Sequence, residues 1–144
     1  YADGAWTGKG ITSTAAATAG GVGLGYADAS TILGAGGGTW QSESVDGSAV
    51  LVRYTLQGDA NLDGQVNFTD LLKLSQNYGA ESGAGWWQGD GDYNGNVNFR
   101  DLLKLSQNYN AALPSPGTAV PEPAGAALLM AASATLLARH RRRL

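Results

Sequence analysis

Apolar residues stand at helical spacing in two stretches of the chain. In residues 68–78, and again in residues 99–109, apolar side chains recur three or four positions apart. This spacing predicts two amphipathic helices, each with one apolar face. Gly79 and Asn110 follow the two stretches, and both residue types suit the left-handed conformation that commonly ends a helix.

The residues before these stretches show shorter patterns, typical of strands and turns. Residues 11–19 predict a short helix capped by Thr12 or Ser13, while residues 22–26 and 39–44 predict strands. A further strand is predicted at residues 49–57. One of its faces carries Val50, Val52, Tyr54 and Leu56, and the other carries Leu51, Arg53 and Thr55. Asp46-Gly47 predicts a hairpin turn before this strand. We interpret residues 1–57 as a small β-rich remnant of an upstream domain.

The two helical stretches belong to a longer internal repeat. Residues 58–78 and 89–109 agree at 15 of 21 positions when the chain is shifted by 31 residues. Each copy begins with a twelve-residue loop that has the oxygen spacing of a calcium-binding EF-hand. Gly64 and Gly95 hold position 6, where the backbone must bend sharply.

The remaining loop positions supply the oxygen atoms that Ca²⁺ prefers. Positions 1, 3, 5, 9 and 12 offer side-chain oxygens, and position 7 offers its backbone carbonyl. The predicted ligands are Asp59, Asn61, Asp63, Gln65, Asn67 and Asp70 in the first loop, and Asp90, Asp92, Asn94, Asn96, Asn98 and Asp101 in the second. The sequence therefore predicts two calcium ions. Plain solvated turns are the alternative, because Asp, Asn and Gly form turns in any case.

This arrangement resembles type I dockerin domains, which are calcium-dependent modules that plug into cohesin domains. Two loop-then-helix units about 31 residues apart, with Asp at position 12 and no helix before either loop, carry the resemblance over residues 58–111. It implies a mainly α fold of two loop-helix (F-hand) repeats and a cohesin-like partner. The partner-facing positions of the family correspond to Phe68, Thr69, Ser75, Gln76, Phe99, Arg100, Ser106 and Gln107. The family has a small hydroxyl residue where Phe68 and Phe99 stand. We expect each of these phenylalanines to lie either in the core or at the partner interface.

The C-terminal residues differ in character from the repeats. Residues 112–123 form a Pro-rich linker, and residues 124–138 are uncharged and mostly apolar, followed by an Arg cluster that begins at Arg139. This order predicts a transmembrane helix within residues 124–144, with a soluble core helix as the alternative. It resembles a PEP-CTERM sorting tail, whose motif matches Pro121, Glu122 and Pro123. The resemblance implies a secreted protein that the C-terminal helix holds transiently in the inner membrane. An exosortase-type enzyme would then process it for the cell surface.

Composition narrows the possible chemistry. Residues 1–138 carry five basic and twelve acidic residues, without a basic stripe interleaved with aromatics, so we expect no nucleic-acid binding. The chain lacks Cys, and its single histidine, His140, lies in the Arg cluster, which leaves no set of residues for nucleophilic catalysis. Trp86 and Trp87 are either an aromatic platform for sugar or a cover for the helices.

Together these patterns predict a mainly α dockerin-like domain, preceded by a small β-rich segment and followed by a C-terminal hydrophobic helix. The expected function is non-catalytic: calcium-dependent protein–protein attachment on a secreted, surface-sorted protein. One alternative is a C-terminal appendage of a polysaccharide-active, glycoside hydrolase-like enzyme with its catalytic domain upstream. A third interpretation is purely structural, with calcium serving stability alone.

Overall fold

The computed structural model describes residues 10–114, of which residues 10–113 belong to one compact unit. Within these residues the regular structure comprises four α-helices, two antiparallel sheets of two strands each and one 3₁₀ turn. In chain order the elements are α1 (Thr14–Thr18), β1 (Val22–Asp28), α2 (Ala29–Leu33), β2 (Gly38–Trp40), β3 (Glu43–Val45), β4 (Val50–Leu56), α3 (Phe68–Asn77), the 3₁₀ turn (Trp86–Gln88) and α4 (Phe99–Gln107).

The predicted fold class, a mainly α domain, is wrong. Helices account for 30% and strands for 21% of the described residues, and the strands share a core with the helices. The two longer helices cannot form a core by themselves, because each buries a single apolar side chain. These side chains are Leu74 on α3 and Leu105 on α4. Val22 of β1 and Leu56 of β4 complete the same core.

The predicted C-terminal hydrophobic helix, the PEP motif and most of the Pro-rich linker lie outside the described residues. Of the helices that the structure describes, none has the length and apolar character needed to cross a membrane.

The strands pair differently from the sequence prediction. β1 pairs with β4 in antiparallel register, from Val22 opposite Leu56 to Asp28 opposite Val50. β2 and β3 form the second sheet, which is a hairpin, so the predicted strand at residues 39–44 is two strands joined by a turn. The turn residues Gln41 and Ser42 have φ angles of 49° and 73°, which match the twist that tight hairpins require. The hairpin turn predicted from Asp46-Gly47 is therefore wrong.

The two repeats pack against each other reciprocally. Gly58, before the first loop, lies against Leu105 of α4, and Gly89, before the second loop, lies against Leu74 of α3. A Cβ atom on Gly58 would lie 2.7 Å from the Leu105 Cα, and one on Gly89 would lie 2.9 Å from the Leu74 Cα. Each helix therefore packs on the loop entrance of the other repeat.

The chain that leaves each helix also crosses the loop of the other repeat. Val97 of the second loop exchanges two backbone hydrogen bonds, of 2.8 and 2.9 Å, with residues 79–80. Val66 of the first loop exchanges two, of 2.8 and 3.0 Å, with residues 110–111. Both valines are fully buried. Each repeat thus completes the backbone hydrogen bonding of its partner, and the two form one structural unit.

This reciprocal packing predicts the effect of a methyl group at Gly58. In Gly58→Ala the added Cβ meets the backbone of Leu105, and φ is 103°. Gly79→Ala is the matched control, because φ is 89° there but no atom lies within 4 Å of the added Cβ. We expect Gly79→Ala to lower the free energy of unfolding by about 1 to 2 kcal/mol. Gly58→Ala should cost about 1 to 3 kcal/mol more, because it also overpacks the core.

Urea unfolding followed by Trp fluorescence measures both variants. Equal losses in Gly58→Ala and Gly79→Ala would contradict the close packing of the two repeats.

Candidate metal centre

Three carboxylates converge in the second loop. Oxygen atoms of Asp90, Asp92 and Asp101 lie within 4.8 Å of one another. Asp90 and Asp101 are buried and Asp92 is half-buried. This cluster can hold a metal ion, and an all-oxygen donor set suits a hard cation such as Ca²⁺ or Mg²⁺.

Backbone N–H groups hold the first and last carboxylates of the second loop. Asn94 N–H and Gly95 N–H donate to the two oxygens of Asp90, at 3.1 and 2.8 Å. Gly91 N–H and Asn98 N–H donate to the two oxygens of Asp101, at 3.0 and 2.9 Å. The loop therefore curls around both carboxylates, with its ends fixed to each other.

The first loop repeats these clamps. Asp63 N–H and Gly64 N–H donate to the two oxygens of Asp59, at 3.1 and 2.8 Å. Ala60 N–H donates to one oxygen of Asp70 at 2.9 Å. The shared clamps follow from the sequence, because Asp at positions 1 and 12 and Gly at position 6 are common to both loops.

The loops differ at positions 3 and 5. In the first loop, Asn61 Nδ2 and Gln65 N–H donate to the two oxygens of Asp63, at 2.9 and 2.8 Å. An amide at position 3 can donate to the position 5 carboxylate, whereas Asp92 at position 3 of the second loop cannot. Among the described residues, convergence of three acidic side chains is found in the second loop and not in the first.

The remaining predicted ligands have structural partners. Asn67 and Asn98, at position 9, cap α3 and α4: their Oδ1 atoms accept from Thr69 N–H and Arg100 N–H, both at 2.8 Å. At position 7, Asn96 N–H donates to Asn94 Oδ1 at 2.7 Å, as Gln65 does to Asp63 in the first loop. These contacts place the position 9 side chains at the helix starts.

Burial changes the ionisation of the loop carboxylates. It raises the pKa of Asp59 to about 6, against the lowering effect of the Thr55 and Gly64 hydrogen bonds. Burial likewise raises the pKa of Asp70, Asp90 and Asp101. A neighbouring carboxylate adds to each shift, such as Asp70 for Asp59. Negative charge in these loops is thus costly unless a cation offsets it.

Residues outside the predicted loops also hold the first loop. Thr55 Oγ1 of β4 donates to Asp59 Oδ2, and the Trp86 indole N–H donates to the Asp59 backbone carbonyl. Arg53 Nη1 of β4 donates to the Leu62 carbonyl. These three residues were not predicted from the sequence to be part of the site. Their only signal was the polar character of Arg53 and Thr55 in an otherwise apolar strand.

The residue at position 4 of each loop packs against the β1–β4 sheet. Leu62 and Tyr93 have left-handed backbones, with φ angles of 62° and 60°. Leu62 is buried with Leu51 of β4 and with Trp86. The Tyr93 hydroxyl accepts from Leu24 N–H at 2.8 Å and donates to the Leu24 carbonyl at 3.1 Å. Trp86 is thus a core residue, and its interpretation as an exposed sugar platform is wrong.

The predicted partner-facing side chains all lie on the solvent side of the two helices. They are Phe68, Thr69, Ser75 and Gln76 around α3, and Phe99, Arg100, Ser106 and Gln107 around α4, and all eight are exposed. Phe68 and Phe99 are each 66% exposed, so they are not core residues. Leu72 and Leu103, one turn farther along, are 44% and 46% exposed. Each helix therefore presents an apolar outer stripe besides its buried side.

Comparisons with protein-family models, with curated proteins and with solved structures found no match to this chain.

The raised pKa of Asp59 predicts how pH affects the calcium-free protein. The folded-state pKa of about 6 exceeds the ordinary value of 3.8, so the folded state binds the proton more tightly than the unfolded state. The resulting stabilisation is complete below pH 3.8 and is lost as pH rises through 6. In EGTA we expect the free energy of unfolding to fall by up to about 3 kcal/mol from this group.

Urea unfolding at a series of pH values checks this, with Asp59→Asn as the control that removes the titrating group. The difference between the two pH profiles should follow a pKa near 6. Parallel profiles for the two proteins would contradict the predicted shift. With saturating calcium the trend should reverse, because metal ligation requires deprotonated carboxylates.

Proposed function

We propose that residues 58–111 form a calcium-dependent attachment module on a secreted, surface-sorted protein. The observation that carries the proposal is that two similar oxygen-lined loops each start a helix with nearly the same exposed side chains. Phe68 and Phe99 are equally exposed, and Leu72 and Leu103 nearly so. The resemblance to type I dockerins remains a prediction, with a cohesin-like protein as the expected partner.

The proposed cofactor is two calcium ions, one for each loop. The donor chemistry supports this, because both loops offer carboxylate and amide oxygens and share the same backbone clamps. A bound Ca²⁺ would supply the positive charge that offsets the buried carboxylates. Asp70 and Asp101 lie in the first turns of α3 and α4, so each connects a loop to its helix. Calcium binding is therefore expected to fix the direction of both helices.

The proposed contact surface consists of the outer stripes of α3 and α4. Exposed aromatic and aliphatic side chains on a helix are suitable anchors for a partner protein. The two stripes share Phe, Leu, Ser and Gln but differ at one position, Thr69 against Arg100. Either stripe can therefore present nearly the same chemistry, with one additional positive charge on α4.

Two observations support attachment over reaction. The buried polar or charged side chains in the described part of the chain are Thr55 and four loop aspartates, all of which belong to the candidate metal sites. The described carboxylates outside the two loops, Asp28, Glu43, Asp46 and Glu81, are exposed. Surface sorting rests on the sequence of the C-terminal tail, as do transient membrane anchoring and processing by an exosortase-type enzyme.

Substitution of the two exposed phenylalanines tests the attachment surface. We expect a purified type I cohesin domain to bind the chain in calcium and not in EGTA. Phe68→Ala and Phe99→Ala should each weaken binding about twofold, because the other stripe stays intact. The double variant should lose at least about tenfold in affinity, as is usual when anchoring aromatics are truncated.

Isothermal titration calorimetry measures these affinities. Tyr54→Ala is the matched control, since Tyr54 is 36% exposed on the β1–β4 sheet and not on either stripe. Full affinity in the double variant would exclude the stripes as the contact surface. Absence of binding in calcium would exclude a cohesin-type partner.

A further inference from the structure

The two loops are nearly identical in sequence, but their surroundings differ. Thr55 lies four residues before Asp59, and the equivalent residue before Asp90 is Trp86. Both of these residues serve the first loop: the Thr55 hydroxyl donates to the Asp59 carboxylate and the Trp86 indole donates to the Asp59 carbonyl. The side chain of Asp90 is held by N–H groups of its own loop. The first loop alone therefore receives a strand-borne hydroxyl at its first carboxylate.

The fold gives Thr55 little freedom. Its side chain is fully buried, and it lies on the inner face of β4 opposite Gly23 of β1. A Cβ atom on the next inner residue of β1, Gly25, would lie 3.0 Å from the Thr55 Cγ2 and 2.4 Å from the Leu62 Cδ2. Because Gly25 has no side chain, the β1–β4 sheet can pack directly against the first loop.

This contact fixes the orientation of the Asp59 carboxylate. Asp59 Oδ2 accepts from both Thr55 Oγ1 and Gly64 N–H, while Oδ1 accepts from Asp63 N–H. The carboxylate is fully buried, so water cannot replace a lost donor at low cost. Hydrogen bonds that orient a ligating carboxylate commonly contribute to metal affinity.

We propose that Thr55 is a positioning residue for metal binding by the first loop, so that the β1–β4 sheet sets the affinity of that loop separately from the second. The inference rests on the proposed calcium function. It makes the strand before the repeats part of one calcium site, although the repeat itself does not contain it.

Two further observations predict the order in which the loops fill. The acidic oxygens already converge in the second loop, whereas Asp63 of the first loop is bound to Asn61 and Gln65. Arg53 places a positive charge beside the first loop, where a Cβ atom on Gly64 would lie 2.4 Å from its Nη2. The second loop therefore fills at lower calcium concentration than the first.

The Gly64 and Gly95 backbone amides report the loops separately, because each donates to the first carboxylate of its own loop at 2.8 Å. Calcium titration of the full chain, followed by ¹H–¹⁵N NMR, gives one affinity for each loop. We expect Thr55→Val to weaken the first loop about 10- to 100-fold and to leave the second unchanged. Thr55→Ser should restore the first loop. Thr39→Val, at an exposed position on β2 away from both loops, should change neither.

Each outcome bears on the proposal. Unchanged first-loop affinity in Thr55→Val, equal weakening of both loops, or failure of Thr55→Ser to restore binding would overturn it. The unaltered chain tests the predicted order of filling without any substitution: Gly95 should respond at lower calcium than Gly64, and the reverse order would contradict that prediction. If neither amide in the unaltered chain responds to calcium, the proposed function itself fails.

Discussion

The structure depends on the burial of four aspartates, Asp59, Asp70, Asp90 and Asp101, at the ends of two loops. Their oxygens accept backbone N–H groups that would otherwise be unpaired at the loop bends, so each loop is closed by its own carboxylates. Burial also makes the charged forms of these groups unfavourable, which raises their pKa values. The same residues therefore define the loop conformation and favour a cation beside them. Binding of a metal ion in these loops would be coupled to folding through this one constraint.

Each repeat depends on packing and hydrogen bonds from the other repeat and from the β1–β4 sheet. Gly58 packs on α4 and Gly89 packs on α3, while the chain leaving each helix hydrogen-bonds to the opposite loop. The β1–β4 sheet then covers position 4 of both loops through Leu62 and Tyr93. A small domain buries little apolar surface, so sharing the core among helices, loops and strands gives each element enough contacts. This sharing explains why the outer stripes of α3 and α4 stay exposed: the inner sides already supply the core.

Local features were predictable because they depend on residues close in sequence. The ends of α3 and α4 follow from Gly79 and Asn110, which adopt left-handed φ angles of 89° and 64°. The helix starts follow from the Asn caps at position 9. The turn within β2–β3 was not predictable, since Gln41 and Ser42 are not typical residues for positive φ. The β1–β4 pairing joins distant segments, and no local pattern specifies such a partner.

By itself, the sequence determined the two loops, their twelve candidate ligand positions and the helix that follows each. These features need only the type and spacing of nearby residues. The tertiary structure alone decided that Arg53 and Thr55 face the first loop while Tyr54 faces solvent, because alternation defines two strand faces without saying which is covered. It also decided that the two similar loops have different surroundings. Thr55 and Trp86 hold equivalent positions, four residues before Asp59 and Asp90, but both donate a hydrogen bond to Asp59. Packing between distant segments, not spacing along the chain, made the surroundings of the two loops unequal.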